Sequence, residues 1–182
     1  RDGHWNIYLI GAETGAAIRQ ITVGSPTNAV NPVFSPDGKK ITFNSLEYTL
    51  DQYGNSTLSG TSIWVFELET GKLTQHTEGA MPEFSPDGKS IIFKRAKKTG
   101  EQKWYGLWMV NLETGAETSI MEGEDFGVTE FDISPDGTRI VFSTDKGTKK
   151  SATERQNLNI WTVNIDGSNL TQLTFHQSDD RC

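Results

Sequence analysis

The chain contains one cysteine, Cys182, and it is the last of 182 residues. A single thiol allows no intrachain disulfide and no cysteine-based metal site, which excludes a disulfide-dense secreted scaffold. A basic excess is also lacking. The formal net charge of −7 offers nothing to displace counterions from a phosphate backbone, so nucleic acid is excluded as the main partner. No apolar run approaches the roughly 20 residues that a membrane-spanning helix requires, and no membrane insertion is expected. No stretch shows a sustained 3.6-residue period. His4, His76 and His176 stand apart, without a second ligand at a metal-site spacing. An Asp-x-Asp-x-Asp-Gly loop for Ca²⁺ is missing, and so is a Gly-x-Ser-x-Gly of a hydrolase. No cofactor and no catalytic residue are expected.

What the chain does have is repetition. Ser35-Pro36-Asp37-Gly38 returns as Ser85-Pro86-Asp87-Gly88 and as Ser134-Pro135-Asp136-Gly137, at intervals of 50 and 49 residues. Proline sets φ for position i+1 of a turn, Asp accepts nearby amides, and Gly takes the left-handed conformation that closes a hairpin. Each tetrapeptide separates two strand-like runs, such as Val33-Phe34 from Ile41-Thr42-Phe43 and Phe131-Asp132-Ile133 from Ile140-Val141-Phe142. Three nucleophiles in three equivalent hairpins make no chemical sense, so the serines are expected to be turn residues.

A second hairpin recurs four times. Asn6 to Ile10 precedes Glu13-Thr14-Gly15, Ile63 to Phe66 precedes Glu69-Thr70-Gly71, Leu107 to Val110 precedes Glu113-Thr114-Gly115, and Ile160 to Val163 precedes Ile165-Asp166-Gly167. Joining the two hairpins gives a four-strand unit A-B-C-D. Strand C is apolar at consecutive positions, as a strand covered on both faces should be. Small antiparallel sheets covered on both sides stack radially, which is the β-propeller. The expected fold is therefore all-β, a propeller of four-stranded antiparallel blades. Residues 1–22 supply half a blade (strands C and D), and 30–76, 81–120 and 129–174 supply three complete blades. Residues 175–182 form a connector to a further strand. Closed propellers typically have four to eight blades, so the expectation is a piece of a longer chain, or a ring completed by self-association with a second copy.

Phe-Ser-Pro-Asp-Gly-Lys, Ile-x-Phe and Ile-Trp followed after six intervening residues by Gly together resemble the PD40 (WD40-like) repeat of TolB-type propellers. Residues 32–43 and 82–93 carry the likeness best, and it extends over nearly the whole chain. The resemblance implies a non-enzymatic scaffold that binds a protein or peptide, in the periplasm or otherwise exported. Similar repeats also form the propeller domains of S9 prolyl-oligopeptidase-type serine peptidases, which is the alternative.

Repeated residues are scaffold, so function is expected where the repeat varies. Tyr8, Trp64, Trp108 and Trp161 share one position and are expected in the core between blades. The A–B and C–D turns are nearly constant, whereas the B–C and D–A connections change in length. In a meander both of these lie at one end of the sheet, and variable loops on a rigid scaffold are where binding usually resides. The candidate partner-binding residues at that end are Tyr48, Asp51, Tyr53, Trp104, Tyr105, Asp125 and Phe126. The B–C connections also carry Lys97, Lys98 and Lys103, then Lys146, Lys149, Lys150 and Arg155, either a solvated rim or an attachment site for an acidic partner.

Overall fold

A computed structural model of the chain describes residues 4–13, 15, 17–23, 28–99, 102–122, 126–146 and 158–175. Among these, every regular element is a strand, and no helix is long and apolar enough to cross a membrane. The strands are β1 (Tyr8–Ile10), β2 (Ala17–Gln20), β3 (Ala29–Phe34), β4 (Lys40–Leu50), β5 (Ser56–Glu67), β6 (Leu73–Glu78) and β7 (Ala80–Phe84). They continue with β8 (Ser90–Thr99), β9 (Gln102–Asn111), β10 (Glu117–Met121), β11 (Val128–Ile133), β12 (Arg139–Thr144), β13 (Asn159–Asn164) and β14 (Thr171–Gln172). They form a two-stranded sheet β1-β2 and three four-stranded sheets in the orders β3-β4-β5-β6, β7-β8-β9-β10 and β11-β12-β13-β14. Each is an antiparallel meander. The chain divides into two compact units, Arg1–Phe84 and Ser85–Cys182.

The Ser-Pro-Asp-Gly segments join the first and second strands of the three larger sheets, and one pattern of bonds closes them all. Ser35 Oγ accepts the Lys40 amide at 2.8 Å and donates to Asp37 Oδ1 at 2.6 Å, and Asp37 in turn accepts the Lys39 amide at 3.0 Å. Ser85 with Asp87 and Ser134 with Asp136 repeat the arrangement, again with 2.6 Å between hydroxyl and carboxylate. The glycine that follows sits at φ between 68° and 71° in all three, a region closed to most side chains. Each serine hydroxyl is thus engaged inside its own turn.

Packing is built from the strands these turns bring together. In the first unit Ile7 and Ile21, which flank β1-β2, pack with Ala29, Ile41, Phe43 and Phe66 of the next sheet. In the second unit Ile92, Leu107 and Ile120 pack with Val128, Ile140, Phe142 and Val163. Phe43, Phe93 and Phe142 occupy one position of the second strand in each sheet and are fully buried. The apolar third strands are covered as expected, with Ile63, Val65, Phe66, Leu107 and Val110 buried. The shared Trp position is more open. Trp64 and Trp108 are half-buried and Tyr8 is exposed.

Two of the three long B–C connections turn out to be strands, and the third lies largely outside the described residues. β4 and β5 pair from Lys40↔Glu67 out to Leu50↔Ser56, with a register shift between Glu47 and Tyr48, and β8 and β9 pair in one register from Ser90↔Asn111 out to Thr99↔Gln102. Burial along β4 stops at Leu46, so the core-facing pattern lapses there. Thr, Tyr and Leu continue to favour extended pairing without a core to face.

Truncating Phe142 to Ala should cost about 3–5 kcal/mol of folding stability in urea titrations, the loss typical of a fully buried phenylalanine. The turns make a second expectation. Hydrogen bonds from Ser134 and Thr138 hold the Asp136 carboxyl down at about 2, from an ordinary 3.8. A depressed folded-state pKa contributes stability that is present above the unfolded value and is lost as pH falls through the folded one. The urea midpoint of the native protein should therefore drop between pH 4 and pH 2 more steeply than that of Asp136→Asn, which has no such group to protonate.

Candidate functional site

Beyond Leu46↔Thr61, β4 and β5 continue as a two-stranded ribbon with which no other described strand pairs. Asp51 closes its tip: the carboxylate accepts the amides of Tyr53 and Asn55 and the Asn55 side-chain amide, each at 2.8 Å. Bonds from Asp51 N to Asn55 O and from Gly54 N to Asp51 O, both 3.0 Å, complete the turn. Hydrogen bonds from Asn55, joined by the Tyr53 and Gly54 amides, lower the Asp51 pKa and keep the group charged. Asp51 is thus the internal clamp that sets the tip. Around it stand Tyr48 at 48% exposure, Leu50 at 71%, Tyr53 at 80% and Leu58 at 40%. Tyr48 and Leu58 are directly opposed, so their side chains share one face of the ribbon.

The second ribbon, β8-β9, has different chemistry. Arg95 faces Gly106 and Lys97 faces Trp104 across the pair. The Arg95 guanidinium lies 4.6 Å from the centre of the Trp108 ring and 2.7 Å from Glu117, and Lys97 pairs with Glu122 at 3.0 Å. Arg95, Lys97, Trp108 and Glu122 line a pocket of about 230 Å³ together with Ala96 and Gly106. Gly106 lets the β10 backbone approach closely: a Cβ there would meet Met121 O at 2.5 Å, beside the register shift between Ser119 and Met121. Lys94 lies buried beneath, its ammonium bonded to Thr129 O and 5.1 Å from the Tyr105 ring. Burial lowers its pKa, and Glu130 opposes that shift.

The candidate residues fall into distinct settings. Tyr48, Asp51 and Tyr53 come together on the first ribbon. Trp104 and Tyr105 are neighbours on β9, where Tyr105 is half-buried against Lys94; the Trp104 side chain and Asp125 lie outside the described residues. Phe126 is 5% exposed, with the Lys146 ammonium 4.1 Å from its ring, so it packs its own segment and is withdrawn from the surface. Among the basic residues, Lys97 is paired as above, while the Lys98 and Lys103 side chains, Lys149, Lys150 and Arg155 are outside the described residues. Among the described residues no three His, Cys, Asp or Glu side chains group in a way that could hold a metal ion.

Compared with solved structures, the chain is 21% identical to TolB from Acinetobacter baumannii, with a TM-score of 0.64 covering 96% of this chain and 39% of that one. It is 23% identical to a TolB-type protein from Agrobacterium tumefaciens, with a TM-score of 0.67 covering 92% and 55%. It also matches the β-propeller domain of the Trilobed protease from Pyrococcus furiosus at 19% identity and a TM-score of 0.55, covering 80% and 42%.

The fold is a β-propeller.

No family model and no curated protein matches the chain. It spans between 39% and 55% of the length of these three structures.

As blades of a propeller, two of the four-stranded sheets carry described ribbons on their two middle strands, the pair held on both sides. Leu50 and Leu58 belong to the first ribbon as much as the tyrosines do, and alternation with Thr and Ser was the signal for them. The pocket residues Arg95, Lys97, Gly106, Trp108 and Glu122 were masked by Trp108, whose repeated position points to core. Their signal was Gly106, a gap between aromatic residues on one strand face. Replacing Gly106 with Ala should destabilise the propeller by about 1–3 kcal/mol in denaturant titration, because the added Cβ collides with the Met121 backbone.

Proposed function

We propose that this propeller is a non-enzymatic scaffold that binds a protein or peptide partner through the end of its blades where the B–C ribbons stand. The observation that carries this reading is the set of exposed apolar side chains, Tyr48, Leu50, Tyr53 and Leu58, held on a ribbon whose tip is fixed by Asp51. Large side chains kept exposed on a preorganised element lose little freedom on binding, which favours association. Exposed apolar clusters of this kind are a mark of interaction sites. The opposite blade end presents closed polar turns whose hydroxyls and carboxylates are engaged with one another. An exported, periplasmic location accompanies this role, in keeping with the TolB resemblance.

A second reading is the propeller domain of a serine peptidase, favoured by the match to the propeller of the Trilobed protease. A Gly-x-Ser-x-Gly with later Asp and His in the flanking gene sequence would establish it, and their absence would remove it.

Photo-crosslinking amino acids placed at Tyr53 and Tyr105, and separately at Glu69 and Glu113 in the C–D turns, test the binding reading in extracts of the source organism. Discrete adducts are expected from the first pair and none from the second. Equal labelling from both ends, or none from either, would overturn it.

A further inference from the structure

The β8-β9 ribbon gathers two cations and two acids on one face. Phe93 is paired with Trp108 and Arg95 with Gly106, and directly opposed residues share a face. Lys97 follows Arg95 by two positions and joins them. Glu117 of β10 and Glu122, just past its end, are five residues apart, so in a regular strand they would point to opposite sides. The register shift between Ser119 and Met121 supplies the extra residue that brings both to the cations, since a bulge re-aims the side chains beyond it. Glu117 reaches Arg95 at 2.7 Å and Glu122 reaches Lys97 at 3.0 Å.

Each cation thus has its own acid, and the wall they form around the pocket of about 230 Å³ is neutral overall. The Arg95 guanidinium is held by Glu117, by the Trp108 ring at 4.6 Å and by the Phe93 ring at 5.1 Å. It is a cation in a fixed position. The Arg95–Glu117 pair lies deeper, with side chains 25% and 32% exposed, and the Lys97–Glu122 pair is the outer one, 47% and 40% exposed. The pocket is smaller than the roughly 300–1,000 Å³ of a site that encloses a whole small molecule. It suits a single side chain.

Resting on the binding role proposed above, we propose that this pocket receives one aromatic side chain of the protein or peptide partner, entering past Lys97 and Glu122. The paired charges disfavour a charged occupant: an acid would meet Glu117 and Glu122, and a base would meet Arg95 and Lys97. The apolar surfaces of Trp108, Ala96 and Gly106 shield an uncharged one from water. Between aromatic and aliphatic side chains the cations decide. The negative face of a ring is attracted to a guanidinium or an ammonium, and a methyl group is not. Aromatic anchors seated in pockets carry a large share of the binding energy at protein interfaces.

The test follows the Gly106 amide and the Trp108 indole N–H by NMR while the whole chain is titrated with three capped amino acids, the N-acetyl methylamides of phenylalanine, leucine and glutamate. Phenylalanine should shift both signals, binding about threefold more tightly than leucine and about tenfold more tightly than glutamate. Arg95→Met keeps an unbranched side chain and removes its charge. It should bring phenylalanine down to the leucine level and leave leucine unchanged, which a general loss of structure would not do. Equal affinity for the three, tighter binding of leucine or glutamate, or no shift at Gly106 and Trp108 overturns the proposal on the native protein alone. So does a folded Arg95→Met protein that still prefers phenylalanine. Adducts from Tyr53 and Tyr105 report on the binding role separately: if they persist when phenylalanine fails, that role stands and only this inference falls.

Discussion

The blades depend on one short-range arrangement. A serine hydroxyl accepts the amide five residues on and donates its own hydrogen bond to the aspartate between them. These bonds lock the first strand of a sheet against the second. Register matters here because side chains alternate: a slip of one residue would turn Phe43, Phe93 or Phe142 from the core to the opposite face. The third strand pairs with the second, and the fourth with the third, so the phase set at Ser35, Ser85 and Ser134 passes across the sheet. The second ribbon inherits the same phase, since β8 and β9 keep one register from the turn to the tip, whereas the first is rephased by a register shift between Glu47 and Tyr48.

The parts of the fold that obey a repeat were legible in the sequence, and the parts that depart from it were less so. Ser-Pro-Asp-Gly, Ile-x-Phe and Ile-Trp mark the turns, the second strands and the third strands, and together they point to the propeller. The ribbons escaped because a core-facing pattern ends at Asn44 and Lys94, and a strand without a core on either side keeps only its weaker preference for extended pairing. A non-repeating aromatic in a connector looks like a contact residue, and Phe126 is buried beneath Lys146. Asp51 lies at the ribbon tip, and its bonds point inward. The Trp108 pocket was hidden behind a repeated position that points to core.

The two described ribbons also separate architecture from chemistry. They share a position in the blade, antiparallel pairing and a hairpin form. One carries tyrosine, leucine and carboxylates without a single basic residue, and the other is rich in lysine and arginine, with salt bridges to its own sheet. A common scaffold thus presents unlike surfaces, as expected where a fold hosts function without dictating it.

The ribbon form itself has a consequence for how such a surface can change. Its tip is bounded on both sides by paired strand, and the turn at Asp51 is bonded only within itself. Residues inserted in matched pairs next to that turn lengthen the ribbon by about 3.4 Å per pair, and the register at Ser35 is untouched. Two such pairs restore the original orientation of both faces; one pair gives the tip the opposite orientation. Reach and facing can therefore be altered independently of the blade, in small increments, by evolution or by a protein engineer grafting a new hairpin onto it.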